Sequence, residues 1–201
     1  MKVLSFVDLH GNKKAYDSIK KKNKKEKPDF LICAGDFTTF ERDIKKLMYK
    51  ISRLGKVFLV HGNHEEEIIV KRLSREYKNI NFIHGKVVPY REIVLIGWGG
   101  GGFTIRDVEF EAFVKTVKKD LKRYKKEGKK IILVTHAPFY KTNLDFLGDD
   151  HHGNKSFTRF IKEFKVEVGF CGHFHENSGK KDMIKKCRVY NPGPKGKVIT
   201  I

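Results

Sequence analysis

Short apolar runs alternate along the chain with lysine-bearing stretches. The runs are KVLSFVD (2–8), DFLICAG (29–35), KVFLVHG (56–62), NFIHG (81–85), EIVLIG (92–97), KIILVTH (130–136), VEVGFCG (166–172), CRVYNPG (187–193) and GKVITI (196–201). Their length and their content of β-branched and aromatic residues mark them as β-strands. Helices are expected near 12–24, 40–53, 64–77, 106–127 and 155–164. In the fourth of these, Val108, Phe110, Phe113, Val117 and Leu121 recur at helical spacing among charged residues, the pattern of a helix laid over a sheet. Strand–helix alternation with short connections predicts an α/β fold with a largely parallel sheet. The last two runs, joined by the turn-like NPGPKG, are expected to close the fold as an antiparallel hairpin. No repeat, linker or composition break divides the chain, so residues 1–201 are expected to form a single domain.

Metal-capable residues are not scattered at random over this pattern. Asp8, Asp36, Asn63, His136 and His173 each stand at or just past the end of an apolar run, and ligands of open α/β sheets bind at the carboxyl ends of strands. Asp8 and His10 are two apart, as are His173 and His175, which on an extended backbone would aim each pair the same way. A glycine precedes Asp36, Asn63 and His173, which permits tight turns and close backbone approach. Imidazole, carboxylate and amide oxygen without thiolate suit Mn²⁺, Fe, Zn²⁺, Co²⁺ or Ni²⁺. The HFH pair near the C-terminal end is too little for a strong site by itself, and these residues are the candidates for the other ligands.

The blocks DLHG (8–11), GDF (35–37), GNHE (62–65), THAP (135–138) and GHFHE (172–176) occur in that order. Together they resemble the signature of the calcineurin-like metallophosphoesterase superfamily, over nearly the whole chain. The resemblance implies a four-layer α/β/β/α sandwich, with two facing mixed β-sheets and outer helices. It also implies two divalent metal ions, foremost Mn²⁺. One would be held by Asp8, His10, Asp36 and His175, the other by Asp36, Asn63, His136 and His173, with Asp36 bridging. The implied activity is hydrolysis of phosphodiester or phosphomonoester bonds, phosphodiesters foremost, by attack of a metal-bridging hydroxide. Two divalent cations outweigh two aspartates and a hydroxide, which leaves a site that favours an anionic phosphate ester. His64 is implied as the catalytic residue, stabilising the transition state and able to donate a proton to the leaving oxygen.

Thr39 stands where protein phosphatases of this superfamily carry the aspartate that orients that histidine, and where purple acid phosphatases carry tyrosine. The chain is closer to small prokaryotic phosphodiesterase-like members, which carry an H-x-G-S block. His151 matches its histidine and is a candidate substrate contact; Asn154 replaces its serine. GWGGGGF (97–103) spells G-x-G-x-x-G in Gly97, Gly99 and Gly102, but no acidic residue closes a second strand about 20 positions on, as a dinucleotide site would need. It is expected instead as a flexible loop at the metal-bearing edge, with Trp98 and Phe103 as candidates to stack on a nucleobase or aryl group.

Composition narrows the setting. Lysine and arginine number 43 against 24 acidic residues, a formal charge of +19. Two readings follow: a coat of lysines on exposed helix faces, or a surface that draws nucleotide or nucleic acid. Abundant lysine without a single glutamine resembles hyperthermophile composition. No run approaches a membrane span and the N-terminus is unlike a signal peptide, so a cytoplasmic protein is expected. Cys33, Cys171 and Cys187 form no C-x-x-C and are expected to be buried. The alternatives are a nuclease, favoured by the charge, and a scaffold that kept the fold without chemistry.

Overall fold

The computed structural model describes residues 1–201. In chain order the first half contains β1 (Lys2–Phe6), α1 (Lys13–Glu26), β2 (Phe30–Cys33), α2 (Ile44–Ser52), β3 (Val57–Leu59), α3 (Glu67–Ser74), β4 (Ile80–Phe82), β5 (Lys86–Tyr90) and β6 (Ile93–Trp98). The second half contains α4 (Val108–Lys126), β7 (Lys130–Thr135), β8 (Phe146–Leu147), β9 (Asp150–His151), α5 (Lys155–Phe164), β10 (Val168–Phe170), β11 (Lys181–Ile184), β12 (Cys187–Tyr190) and β13 (Lys197–Thr200). One sheet has the order β13-β1-β2-β3-β4, the other β11-β12-β10-β7-β6-β5, and β8 pairs with β9. Within each large sheet the central strands are parallel and antiparallel strands close the edges: β13 in the first, β11 and β5 in the second.

Two-residue periodicity explains the layering. Phe30, Ile32 and Ala34 point one way and join Val3, Phe58, Ile132, Val134 and Phe170 in an apolar layer between the two sheets. Leu31 and Cys33 point the other way, with Leu4 and Phe6, under Ile19 of α1, Met48 of α2 and Val70 of α3. On the second sheet Val94, Ile96 and Leu133 turn outward beneath Phe110 of α4 and Phe157 and Phe160 of α5. Both faces of the central strands are therefore dry, which is why those strands read as continuous apolar runs. The result is the α/β/β/α sandwich.

Helix starts are set by side-chain caps. Asn12 accepts from the Ala15 amide, Asp107 from that of Phe110, and Asn154 from those of Ser156 and Phe157, each satisfying a donor the helix leaves open.

Three parts of the expected fold differ. β12 and β13 are not a hairpin: β12 lies in the second sheet beside β10, whereas β13 crosses to the first and pairs with β1, Lys2 opposite Thr200. The NPGPKG segment is the crossover. There Ile199 fills the layer between the sheets while covering the free edge of β1. The partner that turns back along β12 is β11, with Ile184 opposite Cys187; KDMI is too polar to stand out as a strand. β5, KVVPY, is likewise an edge strand that the pattern did not mark.

Candidate metal centre

Five of the parallel strands end on one edge, and the residues just beyond them meet there. The local backbone differs from expectation: Asp8, His10, Asp36 and His173 have φ of 54°, 44°, 50° and 71°, so these residues lie in left-handed turns and not on extended chain. His175 opens a short 3-10 turn, His175–Asn177. A non-glycine residue in this region costs about 1–2 kcal/mol, and such strain persists where the surroundings over-determine it. Here they do. The His10 amide donates to Asp36 O at 3.0 Å, that of Asp8 to Gly35 O at 3.2 Å, and that of Gly172 to His136 O at 2.8 Å. Each strand end is thus tied to the next loop, and the turns carry the side chains over the sheet edge. Gly62 and Gly172 are needed for close packing: a Cβ on Gly62 would collide with the Asp36 carboxylate, and one on Gly172 with Val7.

Hydrogen bonds to carbonyl oxygens orient two of the imidazoles. His10 Nδ1 donates to Thr38 O at 2.8 Å and His136 Nδ1 to Ala34 O at 2.9 Å. Since a carbonyl only accepts, each Nδ1 carries a proton and Nε2 is the nitrogen left to ligate a metal, the usual arrangement of a metal-ligating histidine. His10 Nε2 lies 3.1 Å from His175 Nε2. His136 Nε2 lies 2.9 Å from Asn63 Oδ1 and 3.3 Å from Asp36 Oδ2; His173 Nδ1 lies 2.8 Å from the same Asn63 oxygen. The potential donor atoms form three groups, each within 4.8 Å: Asp8, His10 and His175; His10, Asp36 and His64; Asp36, His136 and His173. His10 and Asp36 link the groups. The seven residues expected as ligands are therefore together, and His64 stands among them.

The set fits divalent cations. Asp8 Oδ2 is buried without a hydrogen-bond partner, an arrangement that is costly unless something else satisfies it. Burial would by itself raise the Asp36 carboxyl, but the hydrogen bond and charge of His136 hold it below the ordinary value. Burial would lower His136, yet Asp36 and then Asp8 hold it above its ordinary value. Asp8 is raised, chiefly by burial. Without a metal, this arrangement favours a proton on His136, positive charge at the same place. Cys33, Cys171 and Cys187 are buried apolar residues and belong to none of the three groups.

Glu65 lies within the GNHE block, and its position beside the centre was not announced by its chemistry. It is 5% exposed. Its Oε2 accepts from the Asp36 amide at 3.0 Å and the Gly62 amide at 2.9 Å; its Oε1 accepts from the Thr38 amide and hydroxyl, both at 2.8 Å. One carboxylate thus clamps the loops after β2 and β3 together. The only sequence signal was an acidic residue directly after GNH.

His64 donates its backbone amide to Asp36 Oδ1 at 2.9 Å and holds Nε2 3.9 Å from Asp36 Oδ2. Its Nδ1 has no partner. Thr39 does not supply one; its hydroxyl reaches His10 O at 3.4 Å. What touches the His64 ring is Phe40, with centroids 4.3 Å apart, and the edge of His10 at 4.7 Å.

The three expected substrate contacts separate. Phe103 is 66% exposed, with its ring 5.2 Å from that of His173. Trp98 is in the core: it is 8% exposed, packs on Phe110 and Phe113, and donates Nε1 to Asp107 at 2.8 Å, so its faces are not available for stacking. Its position at the end of β6, directed toward α4, decides this. His151 is held by the buried Asp145 through Nδ1 at 2.8 Å and packs by Phe146; it belongs to none of the donor groups. The neighbouring His152 is the one whose ring lies 6.4 Å from Phe103. Asn154 is 1% exposed and caps α5.

The glycine run has a packing role. A Cβ on Gly99 would meet His61 O at 2.5 Å, and one on Gly102 would meet His173 Nε2 at 3.1 Å. The Gly99 amide donates to His84 Nδ1 at 2.8 Å and that of Gly100 to His61 O at 3.0 Å. The loop closes over His61 and His173, and those amides are already used.

Comparison with known proteins agrees with this geometry. Residues 1–177 match the model of the family described as calcineurin-like phosphoesterase. Protein MJ1162 of Methanocaldococcus jannaschii is 32% identical over 202 residues, covering 97% of this chain and 89% of that one. The crystal structure of TT1561 of Thermus thermophilus superposes with a TM-score of 0.77 at 16% identity, over 96% of this chain and 90% of that chain. A dimetal phosphatase from Danio rerio superposes with a TM-score of 0.66 at 8% identity, over 94% and 86%.

Proposed function

Since the chain belongs to the calcineurin-like phosphoesterase family, we propose that it is a dinuclear metal-dependent phosphoester hydrolase, acting foremost on phosphodiesters. The observation that carries this reading is the chain of three donor groups linked through His10 and Asp36 at the carboxyl edge of both sheets. The superposition on a dimetal phosphatase from Danio rerio accords with it.

Asp8, His10, Asp36 and His175 would hold one ion and Asp36, Asn63, His136 and His173 the other, with Asp36 shared. Manganese is the ion we propose first; imidazole, carboxylate and amide oxygen without thiolate admit it together with Fe, Zn²⁺, Co²⁺ and Ni²⁺. When bound, two divalent ions supply Lewis-acid charge to the phosphoryl oxygens and acidify a water for attack. The remaining work falls to the chain. His10 and His136 are oriented through Nδ1 by Thr38 O and Ala34 O, which leaves Nε2 of each as the ligating nitrogen. The His173 amide, 3.2 Å from Asp8 Oδ1, and the His64 amide on Asp36 Oδ1 hold the two carboxylates in place. His64 is partly exposed beside Asp36, where an imidazolium can stabilise the charged transition state and pass its proton to the leaving oxygen. No helix is long and apolar enough to cross a membrane.

Purified protein supplied in turn with Mn²⁺, Ni²⁺, Zn²⁺ and Mg²⁺ should hydrolyse bis(p-nitrophenyl) phosphate, and p-nitrophenyl phosphate more slowly. His64→Ala should lower turnover by about 100-fold or more with metal content unchanged by elemental analysis. Asp36→Asn should lose metal at both positions. Full metal occupancy in Asp36→Asn would refute the shared ligand; metal loss in His64→Ala would make that histidine a ligand.

A further inference from the structure

Two phenylalanines stand at the metal centre in positions that folding alone does not favour. Phe40 is 76% exposed and Phe103 66%. Each packs against a histidine of the donor groups, Phe40 on His64 at 4.3 Å and Phe103 on His173 at 5.2 Å. They come from loops of different sheets, one after β2 and one after β6, and each lies against a different histidine of the centre.

The segment that carries Phe40 is strained. Phe40, Glu41 and Asp43 have φ of 47°, 61° and 55°; left-handed backbone is unusual for a bulky aromatic residue. The conformation is pinned at both ends. Thr38, held by Glu65, accepts the Glu41 amide on its hydroxyl at 3.1 Å, and Glu41 Oε1 accepts the Glu66 amide at 2.8 Å. A chain that holds an apolar ring in water through a strained turn forgoes its burial and bears the cost of the turn. Observed strain of this kind points to function. Packing on His64 accounts for one face of the ring and leaves the other bare. Phe103 follows Gly100, Gly101 and Gly102, all at positive φ, and its remaining neighbours are Phe174 and His152. Neither ring reaches the apolar layers of the core.

We propose that Phe40 and Phe103 form an aromatic subsite that takes a planar aromatic portion of the ester, and that the substrate class is therefore phosphate esters of nucleotides. This rests on the hydrolase reading above. The chemistry that recognises such a group is stacking, which any base satisfies because each has a π-face. It requires exposed flat rings beside the donor groups, as found here. A simple alkyl phosphate would reach the same centre without this gain.

Adenosine monophosphate and ribose 5-phosphate carry the same phosphate and sugar and differ in the base. Isothermal titration of each into the manganese-loaded protein, with their recovery intact checked afterwards, should show the adenosine compound bound about 5- to 100-fold more tightly. Phe40→Ala and Phe103→Ala should each narrow that ratio, and the double variant should bring it near one. Phe40→Tyr and Phe103→Tyr should restore it, which a purely structural role of the residue would not require. Met183→Ala, on the outer edge strand β11, serves as the surface control and should keep the wild-type ratio. Equal affinity of the wild-type protein for the two compounds overturns the subsite, as does a ratio that survives in the double variant. Turnover of bis(p-nitrophenyl) phosphate separates this from the parent reading. Turnover without base discrimination removes the subsite and leaves the hydrolase; discrimination without turnover under any of the four ions removes the hydrolase and leaves the subsite.

Discussion

His61 shows how a single buried group links the site to its surroundings. It is 8% exposed, its Nδ1 has no partner, and its ring lies 4.7 Å from that of His84. Burial first, and the charges of His84 and His136 after it, push its pKa down to about 3. The unfolded chain therefore binds a proton here near pH 6.5 that the folded protein refuses, so stability falls as pH drops from about 6.5 toward about 3. Between pH 6.5 and 5 the loss is about 2 kcal/mol. His61→Phe removes the titration with similar volume, and denaturant melts of the variant should show a flatter acid limb than wild type. The same logic with opposite sign applies to His136 in metal-free protein. Its pKa is raised, so its stabilising proton is fully present below its ordinary value and is lost as pH rises through the elevated one. Metal-free protein should therefore melt at lower temperature as pH becomes alkaline.

Between elements, the decisive ties are polar. The strands bring their ends to one edge through apolar burial, but the loops beyond them are held by Glu65. Its carboxylate accepts three backbone amides and one hydroxyl from the loops after β2 and β3. Burial raises its pKa and these hydrogen bonds oppose that shift. Glu65→Gln presents an amide donor to groups that are themselves donors. It should cost about 2–4 kcal/mol in denaturant melts and about 10- to 100-fold in manganese affinity by titration, although Glu65 is in none of the donor groups. Unchanged metal affinity would show that the loops hold their shape without it.

Across the whole molecule the charge is large, and part of it lies on an outer helix. The formal +19 includes Lys118, Arg123, Lys125 and Lys126 on α4, which covers the outer face of the second sheet. If this surface draws polyanions, the attraction should be electrostatic and sensitive to salt. Duplex DNA should be retained at about 50 mM salt and lost by about 200 mM in a filter-binding assay. Binding that persists at high salt and depends on Phe40 or Phe103 would favour the nuclease reading.

The α/β pattern, the five helices and most strands were legible in the chain because they obey local rules, and the seven metal-capable residues were legible through the ordered blocks that resemble a known family's signature. Apolar periodicity reports burial, and side-chain chemistry together with position at a strand end reports ligand potential. Other features depended on groups far apart in sequence. β13 left its neighbour β12 to cover β1, since Ile199 and the open edge of β1 that it covers come from opposite ends of the chain. Asp8 and His10 share a centre through left-handed turns tied to the loop after β2, not through the two-residue spacing that pointed to them. Trp98 was drawn into the core by Asp107 and α4, whereas Phe40, unmarked in its motif, was held out beside His64. A residue's type and spacing state which contacts it is able to make; which of them it makes depends on where the rest of the chain has already been placed.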